Sequence, residues 1–351
     1  MRKMSVTDFS SFIEWLFKKY LALFGKGLDC DLESQYFHEM CYFWRLTRQY
    51  NATNCTDEDL QKMQFTILRE NHVIEKGMSM QNPRKGFGQE KVTRLLERLS
   101  KYNDLYGRDD EEFLKYPLST VLAYIDYSHA NGVQMPEIEV AYETLRAKLP
   151  SLEIVASKAG IQTTTKKDLM SACDNGFESL LKSRHSLRYF SDEPVGQEVI
   201  EKALALAQRT PSACNRQGWH THVFKGEESV RLMYWQEGCR GCEEGFRQSV
   251  LVTANLKAFL SHEVFQAYID GGLYAMNLVN AFHSLGVGTI PLSCGFSLEK
   301  LKYLDQFGIP ENEIPILIIA FGNVEDEYRY AVSTRKQINK TNTFHYRTTK
   351  S

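Results

Sequence analysis

A surplus of charge of either sign is missing from this chain: 42 Lys and Arg stand against 44 Asp and Glu over 351 residues, a formal charge of −2. Without spare cations to displace counterions from phosphates, a general nucleic-acid binder is excluded. Long apolar runs are also missing. The longest, Ile314 to Phe321, contains Pro315 and falls far short of the roughly 20 residues that cross a bilayer. The stretch after Met1-Arg2-Lys3 is interrupted by Glu14, Lys18 and Lys19. A signal peptide needs an unbroken apolar core of about 7–15 residues, so a cytoplasmic protein is expected. The eight cysteines are no disulfide framework: Cys30, Cys41, Cys55, Cys173, Cys214 and Cys294 are scattered, and only Cys239 and Cys242 form a close pair. Reduced thiols in a reducing compartment fit this pattern. Neither repeats nor low-complexity segments occur. What is present is an ordinary folded composition, 43% hydrophobic and rich in aromatics, with 20 Phe, 18 Tyr and 4 Trp. At roughly 150 residues per domain the length suggests about two domains.

Periodicity divides the chain. Up to residue 150 it reads as helix. Phe9, Phe12, Ile13, Leu16, Phe17, Tyr20 and Leu21 define one apolar face, and similar spacing runs through Tyr36–Tyr50, Leu60–Lys76, Val92–Tyr102 and Leu118–Ala130. Thr56 with Glu58 and Asp59 reads as a helix start, and Gly77 as a stop. The face at Phe9–Phe24 is read as core packing, since its polar side mixes Glu14 with Lys18 and Lys19 rather than being strongly basic. Residues 151–167 loosen into a linker containing Ala159-Gly160 and Thr163-Thr164-Thr165, and a helix from Asp168 to Ser183 is expected after it. Residues 168–351 mix periods. Four β-type runs, Trp219–Phe224, Val250–Ala254, Val287–Leu292 and Ile316–Phe321, alternate with helical patterns at Glu198–Gln208, Glu263–Leu285 and Leu298–Phe307. Such alternation means a sheet covered by helices, an α/β or α+β core.

Three polar clusters punctuate this second part. Arg184-His185-Ser186-Leu187-Arg188 offers two guanidinium forks and a hydroxyl. In an extended segment residues 184, 186 and 188 share one side and converge on one anion, such as a phosphate ester. The bland alternative is a solvated basic helix end. Pro211-Ser212-Ala213-Cys214-Asn215-Arg216-Gln217-Gly218 leads into a strand and gathers groups able to read a heterocycle edge, although Ser212 and Asn215 also suit an ordinary turn. Gly286-Val287-Gly288 through Pro291-Leu292-Ser293-Cys294-Gly295 has the wrong spacing for a dinucleotide fingerprint, yet its small residues let backbone approach a flat ligand. Arg335, after the last core strand, offers a further phosphate contact.

Taken in order, Arg-His-Ser-x-Arg, Pro-Ser-x-x-Asn-x-Gln, Asp270-Gly271-Gly272 with Met276-Asn277-Leu278, Gly-x-Gly with Pro-x-x-x-Gly, and the late Arg335 resemble the FMN-dependent nitroreductase family over about residues 168–350. The resemblance implies an α+β fold, a nitroreductase-like sheet covered by helices and preceded by a mostly α-helical domain. It also implies a homodimer with FMN at the subunit interface, and NADH or NADPH reducing a small acceptor such as a nitro compound or quinone. By position it implies that Arg184 and Arg335 hold the FMN phosphate with His185 and Ser186 beside them. Arg188 would lie near the pyrimidine edge, where a fixed cation stabilises the charge gained on reduction. Ser212, Asn215 and Gln217 would contact ring or ribityl chain, and Pro291, Leu292 and Gly295 would line the ring. No side-chain nucleophile is implied. Gly218 replaces a frequent Pro of that family, Cys294 a frequent acid, and Ser333 a frequent Lys. The helical part is similar to a region accompanying nitroreductase-like proteins in polysaccharide-related settings. An FMN-binding accessory protein without reductase turnover is therefore the rival reading.

Two sharper features are weighed down. His220-x-His222 before Cys239-x-x-Cys242 matches no standard structural zinc site, so no metal ligand is assigned. His72 to Gly77 and Arg84 to Gly88 bracket a connection that reads as a helix cap or as a lid.

Overall fold

The computed structural model describes residues 59–260, 263, 265–295 and 298–345, together with positions 15, 19 and 40. The expected helical faces of Phe9–Phe24 and Tyr36–Tyr50, the Thr56 start, and Cys30, Cys41 and Cys55 lie outside this set, apart from those three isolated positions. The described residues form two compact units, 164–328 and 59–163 with 329–345.

The helical unit contains α1 (Leu60–Met78), α2 (Gln89–Asp110), α3 (Lys115–Ala130) and α4 (Pro136–Ala147). α1 begins where the Asp59 carboxylate accepts a hydrogen bond from the Lys62 amide at 3.1 Å, and it buries Met63, Ile67, Ile74 and Met78 along one stripe. Gly77 lies inside the last turn, with Ser79 as the cap. A methyl group at Gly77 would come within 2.2 Å of the Phe87 ring, so glycine is needed there for packing rather than for stopping the helix. Phe87 also meets Tyr124 edge-on at 5.5 Å, which holds the 79–88 connection onto its own unit. α4 starts on Pro136 followed by Glu137 and Glu139, a favourable first turn. The interior includes a buried carboxylate: Glu75 accepts hydrogen bonds from the Tyr116 hydroxyl at 2.6 Å and the Gly160 amide at 3.0 Å. Residues 329–345 cluster with this unit, through Tyr330 to Gln162 (2.9 Å), Thr334 to the Lys158 carbonyl (3.1 Å) and Lys340 to Asp110 (2.8 Å). The sequence reading groups this tail with the sheet.

Residues 151–167 are not featureless. They carry a turn of 3-10 helix at Ala156–Lys158 and β1 (Ile161–Thr165), which pairs with a late strand, β6 (Glu327–Ala331). The division between the units falls within these two strands.

The sheet unit continues with α5 (Lys166–Asp174), α6 (Gly176–Ser183), α7 (Gln197–Ala207), β2 (Trp219–Lys225), α8 (Glu227–Gln236), β3 (Gln248–Asn255), α9 (Gln266–Ser284), β4 (Val287–Ser293) and β5 (Glu313–Asn323). The single helix expected over 168–183 is two, because Asn175 caps the first and Gly176 turns the chain at φ 83°. β2, β3, β5 and β4 lie in that spatial order, every pair antiparallel, so the core is α+β. Thr253 pairs with Pro315 at a register shift, where a residue lacking an N–H is tolerated. α7 and α9 cover one face through Ile200, Ala203, Tyr274, Leu278 and Phe282 against Val250, Val252, Ile319 and Phe321. Gly271 lets α9 sit close, since a Cβ there would stand 2.6 Å from Ile316.

Candidate functional site

The Arg184–Arg188 segment leaves α6 extended and lies along the edge strand β4. Ser186 bridges Thr289 in parallel fashion, and the Leu187 amide donates to the Thr289 carbonyl at 2.9 Å. Two glycines make this possible. Gly288 and Gly322 are paired across β4 and β5, and side chains there would collide with Leu187 (2.8 Å) and Phe190 (2.4 Å) respectively. The notch seats Phe190 and thereby fixes the whole basic segment. Arg188 is buried at 5% exposure, while Arg184, His185 and Ser186 are half-buried. A guanidinium so far from bulk water is a fixed charge, not a solvated helix end.

Beside Arg184 stands a residue the sequence reading missed. His283, at the end of α9, is buried and shares a 2.8 Å hydrogen bond with the Ser183 hydroxyl. Burial, helped by the Arg184 charge, lowers its pKa to about 4, so the imidazole is neutral near pH 7. The positive charge at this place is therefore that of arginine. Buried in the adjoining strand, the Thr289 hydroxyl has no hydrogen-bond partner among the described residues. An orphaned hydroxyl costs about 1–3 kcal/mol unless something polar meets it. Fixed cation, half-buried Ser186 and unsatisfied hydroxyl are the donor set that a phosphorylated, heteroaromatic cofactor requires, and the residues present fit FMN.

The second cluster precedes β2. Cys214, Asn215 and Gln217 have φ of 50°, 54° and 51°, left-handed conformations that are uncommon without glycine. They are held by a compact network. The Ala213 amide donates to both oxygens of buried Asp270 (3.3 and 3.2 Å), the Gln217 amide donates to the Ser212 hydroxyl (2.9 Å), and Arg216 forms a two-pronged pair with Glu263 (2.6 and 2.7 Å). Arg216 is thus committed to holding the loop, while Asn215 and Gln217 are exposed and Ser212 half-buried. At Gly218 a Cβ would fall 2.8 Å from both Ala258 and the Phe259 ring, which accounts for glycine there.

Farther along β4, Pro291 is half-buried, Leu292 buried and Gly295 exposed, with open space where a Gly295 side chain would be. Burial raises the Cys294 thiol to about 12, so it stays protonated and adds no charge to the neighbourhood. Arg335 belongs to the helical unit, exposed, its guanidinium turned back on the Ser333 carbonyl. The four-stranded order puts the two sheet-unit clusters on opposite edges, 212–217 at β2 and 184–188 at β4. Three strand spacings separate β2 from β4 and the 184–188 segment lies one further out, so about four spacings of 4.8 Å, roughly 19 Å, lie between them.

A third group of polar side chains lies on the sheet. His220 and His222 project from one face of β2 and meet Glu313 at the start of β5, with a potential ligand atom of each residue within 4.8 Å of those of the others. Burial pushes Glu313 up, but hydrogen bonds from Thr253 and His222 outweigh it and keep the carboxyl below its ordinary range. Glu313 lies 91 residues from His222, so no local signal could have revealed it.

Among the described residues no helix is long and apolar enough to cross a membrane. Residues 181–264, which include both polar clusters, match the model of the nitroreductase family. Over 150 residues the chain is 29% identical to a protein of Archaeoglobus fulgidus named "Putative NADH dehydrogenase/NAD(P)H nitroreductase", covering 42% of this chain and 85% of that one. It is 26% identical over 180 residues to "Putative NAD(P)H nitroreductase YodC" of Bacillus subtilis, covering 41% and 87%. A structure of an Exiguobacterium sibiricum protein described as "a putative nitroreductase in complex with FMN" aligns with 48% of this chain and 97% of its own, at 19% identity and a TM-score of 0.42. The C-terminal half thus carries a nitroreductase-family domain over residues 181–264.

Proposed function

We propose that the sheet unit binds FMN and that the protein uses NADH or NADPH to reduce a small acceptor, a nitro compound, a quinone or a relative of these. The observation that carries the reading is the buried Arg188 on a backbone segment locked to β4 by the Gly288–Gly322 notch, within the stretch that matches the family. When bound, FMN supplies the hydride-accepting and hydride-donating ring. The chain supplies the rest. Arg184, with His185 and Ser186 beside it, holds the phosphate. Arg188 keeps a fixed positive charge where negative charge develops, which requires no reorganisation during transfer. Ser212, Asn215 and Gln217 contact the ring or ribityl chain, while Pro291, Leu292 and Gly295 provide an uncharged wall beside it. The protonated Cys294 leaves that wall neutral.

Two copies complete the site in this reading. Clusters on opposite edges of one sheet meet around a single flavin when the 212–217 loop of one copy faces the 184–188 segment of another. The outer side of α9 supports a homodimer: Phe265, Tyr268, Ile269, Leu273 and Met276 are exposed along one stripe, and Gly272 between them has open space above it.

The test is direct. Purified yellow protein is mixed with NADH or NADPH without oxygen while flavin absorbance is followed. Bleaching within seconds with either donor is expected. Persistent colour with both donors overturns the reductase reading in favour of an FMN-binding accessory role in a polysaccharide or envelope pathway, and colourless protein that cannot be reconstituted overturns FMN binding.

A further inference from the structure

We propose that His220, His222 and Glu313 bind a divalent transition-metal ion of the zinc type, at a site separate from the flavin reading and on the sheet face turned away from α9. The placement follows from strand alternation. Trp219 stacks on Tyr274 of α9, with ring centres 4.9 Å apart, so its neighbours His220 and His222 project to the other face. There the two imidazole rings lie 4.7 Å apart, tilted by 54°. The β3 strand lies between β2 and β5, and Glu313 reaches across it to place Oε2 2.8 Å from His222 Nε2.

Three features separate this group from a simple ion pair. A hydrogen bond to Glu313 uses one imidazole, whereas a second, His220, is held against it and brings its own nitrogen within reach. The carboxylate is also oriented from behind, because the Thr253 hydroxyl donates to Glu313 Oε2 at 2.6 Å, the supporting contact that ligating carboxylates commonly have. Exposure is graded, with the Glu313 side chain at 8%, His222 at 20% and His220 open to solvent, which leaves an approach for the ion and room for a water as fourth ligand. Bonds of about 2.0–2.2 Å at tetrahedral angles need donor atoms about 3.3 Å apart. The 2.8 Å His222–Glu313 contact therefore opens by roughly half an ångström as the ion takes the place of the bridging proton. Two imidazoles and one carboxylate suit zinc and its first-row neighbours and are poorly matched to magnesium or calcium. Such an ion ties the starts of β2 and β5 together across β3.

The experiment uses the full-length chain without a histidine tag, stripped with chelator and titrated calorimetrically with Zn2+, with Mg2+ as control. One Zn2+ per chain is expected at this site, with no heat from Mg2+. His220→Ala, an exposed position whose loss leaves the core intact, should weaken zinc binding at least tenfold and abolish the rise in Tm that zinc gives the native chain. The stripped variant should melt with the stripped native protein. Cys239→Ser/Cys242→Ser should bind zinc as the native chain does. Absence of zinc binding, unchanged affinity in His220→Ala, or loss of binding in the cysteine variant would each overturn the proposal.

Discussion

In the helical unit, every described position with positive φ over residues 59–163 is a glycine, Ser333 in the 329–345 tail being the exception at φ 48°, and the buried Glu75 carboxylate is hydrogen-bonded from two directions. In the sheet unit, three non-glycine residues of one four-residue stretch are left-handed, a guanidinium is buried, and the Thr289 hydroxyl is unmatched. The first unit keeps non-glycine residues out of the left-handed region over 59–163, although the buried Thr66 hydroxyl is unmatched there as well. The second holds strain of roughly 1–3 kcal/mol per left-handed residue, kept in place by Asp270, Ser212 and the Arg216–Glu263 pair. Backbone strain that surrounding structure enforces is what separates the 214–217 stretch from the helical unit, and such strain clusters where ligands are handled.

The largest effect is expected in the helical unit: Glu75→Ala strands the Tyr116 hydroxyl and the Gly160 amide and should cost about 4 kcal/mol of unfolding free energy, read by denaturant titration. An unchanged midpoint would mean that Glu75 does not tie this interior together. Next comes acid sensitivity in the sheet unit. His283 is held near 4 against an ordinary 6.5, so between those values the unfolded chain takes up a proton that the folded chain refuses. Stability should therefore fall as pH drops through that window, by up to about 3 kcal/mol. His283→Gln should flatten the profile between pH 7 and 4.5, and an equally steep profile would remove the assignment. Leu273→Arg, on the exposed stripe of α9, should give monomers by sedimentation and weaken flavin binding at least a hundredfold, about 2.7 kcal/mol. Monomers that retain flavin would show that one copy suffices. The smallest effect belongs to Asp59→Ala at the α1 cap, about 1 kcal/mol.

Much of this architecture is legible in the residues. The four runs at Trp219, Val250, Val287 and Ile316 are the four strands of the main sheet, because buried antiparallel strands keep dense β-branched and aromatic patterns. β1 and β6 are hidden for the opposite reason: Ile161-Gln-Thr-Thr-Thr is short and polar, and its partner lies more than 160 residues away. α4 had a usable signal in Pro136 followed by two acids. At the candidate site the sequence shows the donors but not their supports. Asp270, Glu263 and His283 act through contacts 47 to 100 residues distant, and the left-handed turns at Cys214 and Asn215 carry no glycine to announce them.

The central claim is that the sheet unit holds FMN against a buried cation, and the equilibrium titration of flavin-stripped native protein and Arg188→Ala with FMN tests it most directly. The account predicts one FMN per chain for the native protein and a loss of about thirtyfold in affinity for the variant, near 2 kcal/mol for a charged hydrogen-bonding group, with both proteins equally folded. Native protein that takes up no FMN, or an Arg188→Ala variant that binds it equally well, would contradict the account.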